Sequence, residues 1–293
     1  MTMKQVELVL DARATLGEGP CWCPQRQRLY WVNIRGCEVH EFDPATGHDR
    51  VIRVPSHVGC VVLREGGGAL AALQDGFHEL DLDTGRVKKI GNPMPGRPDM
   101  RFNDGKCDPA GRFWAGTMAY ADTPRAGALY CMETDRRISL KVPGVTCSNG
   151  LAWSLDSRRM YYIDTLAQEV SVFDFDVATG GIANRRTAVA IPVEMGLPDG
   201  MTIDSEGKLW VALWGGHCVA RFDPDSGVCI DRIQMPVTCP SSCCFGGPRL
   251  DELYITSAWM DLTEEQRRAE PHAGGLFRVR PGVRGLPPFY FRG

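Results

Sequence analysis

Ser148-Asn-Gly-Leu-Ala-Trp-Ser-Leu-Asp-Ser-Arg-Arg-Met-Tyr-Tyr-Ile-Asp164 places an oxygen-bearing side chain and a glycine ahead of an apolar strand, which turns back into a second, aromatic-rich strand. The same layout recurs at Leu16-Gly-Glu-Gly-Pro-Cys-Trp22, Arg101-Phe-Asn-Asp-Gly105 and Pro198-Asp-Gly-Met-Thr-Ile-Asp204. From Glu18 to Leu29, Asn103 to Phe113, Asn149 to Met160 and Asp199 to Leu209 the gaps are 11, 10, 11 and 10 residues. The strand type that ends each gap also begins at Leu70 and Leu253, so the six starts are spaced by 41, 43, 47, 49 and 44 residues. A second strand type closes in Asp-x-x-x-Gly turns at Asp43–Gly47, Asp81–Gly85, Asp176–Gly180 and Asp223–Gly227. Asp bonds the backbone that follows it and Gly accepts positive φ, so these turns set hairpins.

A period of 40 to 50 residues with several strands in each unit is the mark of a propeller blade. Six copies predict an all-β, six-bladed β-propeller with a central metal site, formed by residues 1–293 as a single domain. The amino-terminal strand Val6–Leu10 is left over from the count and is expected to close the ring by joining the last blade, because closure removes a sheet edge. Helical periodicity is nearly absent; Asp261–Ala269 is the one stretch suited to a helical turn or two.

Composition narrows the function. The 293-residue chain is 43% apolar with a formal net charge of −3, too small a charge to argue for nucleic acid or an anionic membrane surface. No window reaches the 18 apolar residues of a membrane span, and the first residues lack a signal-peptide core, which makes the cytoplasm the default location. The 12 cysteines sit mostly inside apolar strand-like runs and read as buried free thiols.

Continuing the register through all six blades gives Glu18, Gly59, Asn103, Asn149, Asp199 and Ser242 as equivalent positions. Residues at one place in successive blades meet near the axis. Asn-Gly and Asp-Gly are ordinary turn dipeptides when taken singly, but four strong oxygen donors in one register point to a shared site. Glu18, Asn149 and Asp199 supply the oxygens that hold a hard divalent cation, and this ligand set does not choose among Ca²⁺, Mg²⁺, Mn²⁺ and Zn²⁺. No nucleophile elbow, Walker loop or dinucleotide fingerprint occurs.

At these residues the chain resembles the family of senescence marker protein (regucalcin), gluconolactonase and other sugar lactonases. The pieces that carry the resemblance are LGEGPCW (16–22), RFNDGKCDPAGRFWAGTM (101–118), SNGLAWSLDSRRMYYID (148–164), PDGMTIDSEGKLWVALWGG (198–216), SSCCFGG (241–247) and AGGLFRV (273–279). The resemblance implies a divalent cation on the propeller axis, held by Glu18, Asn149 and Asp199; Fe²⁺ joins Ca²⁺, Mg²⁺, Mn²⁺ and Zn²⁺ as a metal to be tested. It also implies that Arg101 and Asn103 contact the substrate, Asn103 lying close to the metal. Animal members carry an acidic substrate-binding residue after the AGTM segment; here that place is Ala121, and Asp122 follows it. Trp214-Gly-Gly-His217 is closer to bacterial sugar lactonases.

These readings predict a metal-dependent hydrolase that opens the lactone ring of an aldonic or aldaric acid, acting on a small molecule and working as a monomer, the default for a closed propeller. Asp199 is the candidate general base, Arg101 fixes hydroxyls or a carboxylate through its donor fork, and Asn103 orients the lactone. Tyr120 and Asp122 are candidate substrate contacts; Trp214, His217 and Trp259 join Tyr120 as candidate walls. The alternatives are a broader esterase or phosphotriesterase on the same metal, and a calcium-binding propeller without catalysis.

Overall fold

In a computed structural model that describes residues 5–293, the strands form six four-stranded antiparallel sheets, one for each predicted blade. Five sheets use four strands in chain order, beginning at Gly17–Cys23, Val58–Leu63, Met100–Cys107, Ser148–Trp153 and Leu197–Ile203. The sixth begins at Pro240–Gly246, continues through Glu252–Ser257 and Leu276–Val279, and takes its outer strand from the amino terminus, Glu7–Leu10. The expected ring closure is therefore present. Arg278 on the third strand of that sheet donates to Glu7 at 2.8 Å across the closing pair.

The first strand of each sheet is the innermost, and these six strands pack against one another around the axis. Their outer neighbours are held by the Asp-x-x-x-Gly turns: the N–H of Gly47, Gly85, Gly180 and Gly227 each donates 2.8 Å to the carbonyl of the Asp four residues earlier. Each of these glycines has φ between 64 and 74°, where a side chain is strained.

Aromatic side chains fill the spaces between sheets. Trp22 stacks on Tyr254 at 5.8 Å, Trp114 meets Trp153 edge-on at 6.2 Å, and Trp210 meets Phe245 at 6.3 Å. Each pair joins neighbouring sheets, and such contacts add on the order of 1 kcal/mol beyond area burial. Two sheets carry the same internal clamp. Asp204, fully buried, accepts from Trp210 Nε1 at 2.9 Å, Arg221 Nε at 2.8 Å, and the N–H groups of Glu206 and Lys208 at 2.9 and 3.0 Å. Asp108 does the same with Trp114 Nε1 and Arg112 Nη1, both at 2.9 Å. The two copies follow from Asp-x-x-Gly-basic-apolar-Trp, read at 108–114 and 204–210.

A short helix, Glu264–Ala269, starts at a Thr263–Gln266 capping box, within the stretch expected to turn helically. All 12 cysteines are free thiols, and among the described residues no helix is long and apolar enough to cross a membrane.

The clamps make a stability prediction. Asp204→Ala removes a buried acceptor from four donors, one of them the buried Trp210 Nε1, and the unfolding free energy measured by urea titration should fall by about 3 kcal/mol. A loss under about 1 kcal/mol would mean that the clamp is redundant with the packing around it.

Candidate functional site

Every inner strand carries a register irregularity at or beside the position singled out in the sequence: between Glu18 and Cys21, Val58 and Cys60, Phe102 and Gly105, Ser148 and Leu151, Pro198 and Met201, and Pro240 and Ser242. An extra residue unpaired in a strand re-aims side chains and ends the regular pleat. Close approach of the strands explains the small residues there. A Cβ on Gly59 would collide with the carbonyl of Asn103, and one on Gly200 with the Ser242 side chain.

Glu18, Arg101, Asn103, Tyr120, Asp122, Asn149 and Asp199 all line one cavity of about 190 Å³. It sits where the inner strands begin. Glu18 and Asp199 are 3 and 6% exposed, which sets their electrostatics. Burial pushes the Asp199 carboxyl well above the usual carboxylate range; Asp104 adds to the shift, while contact with Asn149 and Glu18 and the charge of Arg101 oppose it. Glu18 is raised in the same sense, by burial first and then by Asp199 and Asp104, against the Gly19 N–H and Arg101.

The amides are oriented by their neighbours. Asn149 Nδ2 donates to Thr165 Oγ1 at 2.9 Å, and its Oδ1 is buried without a hydrogen-bond partner. Asn103 is turned differently: Nδ2 donates to the Ser148 carbonyl at 2.8 Å, and Oδ1 accepts from Arg101 Nη1 at 2.6 Å. Its oxygen is thus already engaged. Arg101 is further tied to the Phe102 carbonyl at 3.0 Å, and its Nε is buried without a partner.

The upper wall differs in part from the expectation. Tyr120 and Trp214 line the cavity, with Tyr120 Oη bonded to His57 Nδ1 at 2.7 Å. His217 is turned outward to Thr238 Oγ1 at 3.2 Å, and Trp259 donates to the Arg13 carbonyl at 3.0 Å under the Arg267 guanidinium. Neither lines the cavity, although both lie next in sequence to rim segments. Asp122 is exposed, in a turn at φ 49°.

Three residues escaped the sequence reading. Asp104 takes the place that the ladder gives to Gly150 and Gly200, and its buried Oδ2 has no partner. A carboxylate where two other sheets have glycine was the available signal. Arg35 lies over the Tyr120 ring at 5.2 Å and lines the cavity, and His57 orients that ring; both sit in turns that share no period with the other sheets.

A second cavity of about 130 Å³ lies where the inner strands end, lined largely by Trp22, Trp153, Phe245, Leu286 and Phe289. Asp104 reaches it but not the first, and so stands between the two.

Fold and site together define a six-bladed propeller with a polar, carboxylate-bearing cavity at one end of its axis. The model of the family "SMP-30/Gluconolactonase/LRE-like region" matches residues 16–259, and the chain belongs to that family. It is 38% identical to the regucalcin of Xenopus laevis over all of both chains. It is 40% identical to the "Putative sugar lactone lactonase YvrE" of Bacillus subtilis, covering 98% of each. Among solved structures, a calcium-binding regucalcin of Agrobacterium tumefaciens superposes with a TM-score of 0.95 at 27% identity, covering 99% of this chain and 98% of that one. The family assignment supports hydrolysis of sugar lactones as the activity at family level.

The carboxylate cluster predicts a pH effect. A carboxyl whose pKa is raised by folding binds protons that the unfolded chain has released. Its stabilising contribution is complete below the ordinary carboxylate range, near pH 4, and is lost as pH rises through the raised folded value. Burial raises Asp104 in this way too, against Lys106 and the Gly105 N–H. Asp104→Asn removes that cost, so in chelator its melting temperature should gain on the wild type as pH rises above the ordinary carboxylate range, and the gain should level off once the raised folded value is passed. A constant difference would show that Asp104 titrates normally.

Proposed function

We propose that this chain is a divalent-metal-dependent lactonase that opens the ring of a sugar-acid lactone, and that residues 1–293 act as one propeller domain. The observation that carries the reading is the Asn149 oxygen, buried and unpartnered beside two buried carboxylates from other sheets. Such a set fits a hard dication: it offers two negative charges and a neutral oxygen, all of which are costly to bury without one. Among the described residues no cluster of three or more His, Cys, Asp or Glu side chains forms a competing metal site. The calcium-binding description of the Agrobacterium regucalcin supports a divalent ion here without fixing which of Ca²⁺, Mg²⁺, Mn²⁺, Zn²⁺ or Fe²⁺ serves.

When bound, the cation supplies Lewis-acid polarisation of an ester carbonyl. The remaining work falls to the side chains. Asp199, ionised, accepts a proton from the attacking water as that oxygen bonds the carbonyl carbon. Burial raises its pKa; beside a bound dication that rise is opposed, and the carboxylate stays ionised for proton transfer. Breaking the ring C–O bond lets Asp199 return the proton to the departing ring oxygen. The new carboxylic acid then ionises, so each turnover releases one proton. Arg101 is fixed by its bonds to Phe102 and Asn103, so its remaining donors meet substrate oxygens without further ordering. Tyr120, held by His57, and Asp122 form the wall against which the sugar hydroxyls lie.

Metal-stripped protein, given each cation singly, should regain lactone opening followed by indicator-detected proton release, and should melt higher at a cation concentration well above its dissociation constant. Binding at 100 times that constant adds about 2.7 kcal/mol. Asp199→Asn should fold and lose turnover by at least about 100-fold. Aryl esters and phosphotriesters run in parallel test breadth. Near-normal turnover in Asp199→Asn with metal bound would remove it as the base, and metal-independent rates on every lactone would reduce the cation to structure.

A further inference from the structure

The wall that carries Tyr120 gathers positive charge that no carboxylate meets at ion-pair distance, although Arg101 lies near enough to Glu18 and Asp199 to lower both. Arg35 is half-buried, lines the cavity together with Arg101, and lies over the Tyr120 ring, 5.2 Å from its centroid. Among the described residues no carboxylate lies within ion-pair distance of either arginine. Other buried or half-buried arginines, Arg28, Arg50, Arg112 and Arg221, each meet an acidic side chain. The two guanidiniums also act on each other and on their neighbour. Burial and then the charge of Arg35 hold Arg101 below its ordinary value, and His57 is held low by burial, Arg35 and Arg101 in that order.

The acidic groups of the cavity do not answer this charge. Glu18 and Asp199 lie at its base, where the proposed cation balances them. Asp122 and Asp261 line it as well, but both are exposed at the rim, where water screens them. A neutral sugar lactone would leave Arg35 facing a ring and solvent, and would spend a buried Arg101 on hydroxyls alone. A planar anion set against the Tyr120 wall would meet two donor forks at once, the arrangement for which arginine is best suited.

We propose that Arg35, together with Arg101, makes this a lactonase for anionic sugar lactones: the preferred substrate carries a carboxylate or a phosphate on the carbon chain remote from the ester. The inference rests on the lactonase reading and narrows its substrate. Tyr120, fixed by His57, acts as a positioning residue that keeps the Arg35 guanidinium over the cavity. Hydrogen bonds to a charged group are strong enough for a preference of about tenfold or more.

The test compares glucarolactone, which carries a carboxylate, and gluconolactone 6-phosphate with neutral gluconolactone at low ionic strength. At least one anionic lactone should exceed gluconolactone in kcat/KM by about tenfold; which one does identifies the anion. In Arg35→Ala that ratio should fall to near one, mostly through KM, and Arg35→Lys should keep part of it. Equal or better use of gluconolactone by the wild type overturns the proposal, as does a loss in Arg35→Ala that affects all three substrates alike. Calorimetry with unreactive open-chain analogues separates this from the lactonase reading. If no lactone is opened, tighter binding of gluconate or sorbitol 6-phosphate than of neutral sorbitol, lost in Arg35→Ala, still upholds the anion site; equal or absent binding refutes it.

Discussion

Six inner strands must converge on one axis, and the space they leave there governs the rest of the molecule. Gly59 and Gly200 show how tight the convergence is, since a methyl group on either would strike the neighbouring strand. A regular pleat cannot run through such a constriction with side chains on both faces. The irregularity in each inner strand resolves this by releasing a residue from the ladder. Because every sheet solves the same steric problem at the same level, the released side chains gather at one height. Ring closure by Glu7–Leu10 against Leu276–Val279 then fixes how far Glu18, on the first sheet, stands from Asp199, on the fifth. The site is a consequence of closure and could not be assembled by any sheet alone.

Charge is the cost of that arrangement. Glu18, Asp104 and Asp199 come from alternate sheets, all are buried, and each raises or is raised by another. Arg101 lowers Glu18 and Asp199, Lys106 lowers Asp104, and Lys106 Nζ is already bonded to the Met201 carbonyl at 2.7 Å. Without a cation the axis is electrostatically strained, so the surrounding sheets must hold it by other means. The Asp108 and Asp204 clamps and the aromatic pairs between sheets lie outside the axis and provide that support. A site that opposes folding inside a frame that favours it is the usual balance between activity and stability.

The propeller was legible because a repeat writes each element several times. One apolar-aromatic strand could be helix or sheet; six at a 41-to-49-residue spacing leave little choice. Glu18, Asn149 and Asp199 were legible for the same reason, as departures from turn chemistry that share a register. Features that break the repeat were not. Asp104 is hidden by Asn103, because Asn-Asp-Gly reads as a turn and the register had already used its oxygen. Arg35 lies in a turn after Leu29–Asn33 whose counterparts share no residue type. His217 and Trp259 were misplaced because neighbouring positions in a rim turn face opposite ways, and periodicity carries no information about a turn at φ 53°.

The inner strands present different side chains at the two ends of the axis. An inner-strand residue that faces the polar cavity is followed four positions later by one that faces the other end: Glu18 by Trp22, and Asn149 by Trp153. The same short strand therefore supplies a polar oxygen to one cavity and a large ring to the other. With Phe245 and Phe289 these rings form the apolar part of the far cavity, which Asp104 and Lys106 also line. Burial dominates the shifts of Glu18 and Asp199, as expected for carboxyls held away from water. Glu18, Asn149 and Asp199 are gathered at one end of the axis only, the end that the Arg35 and Tyr120 wall encloses. The direction of the inner strand, and not a separate element, therefore decides at which face of the propeller the buried carboxylates and the amide oxygen meet.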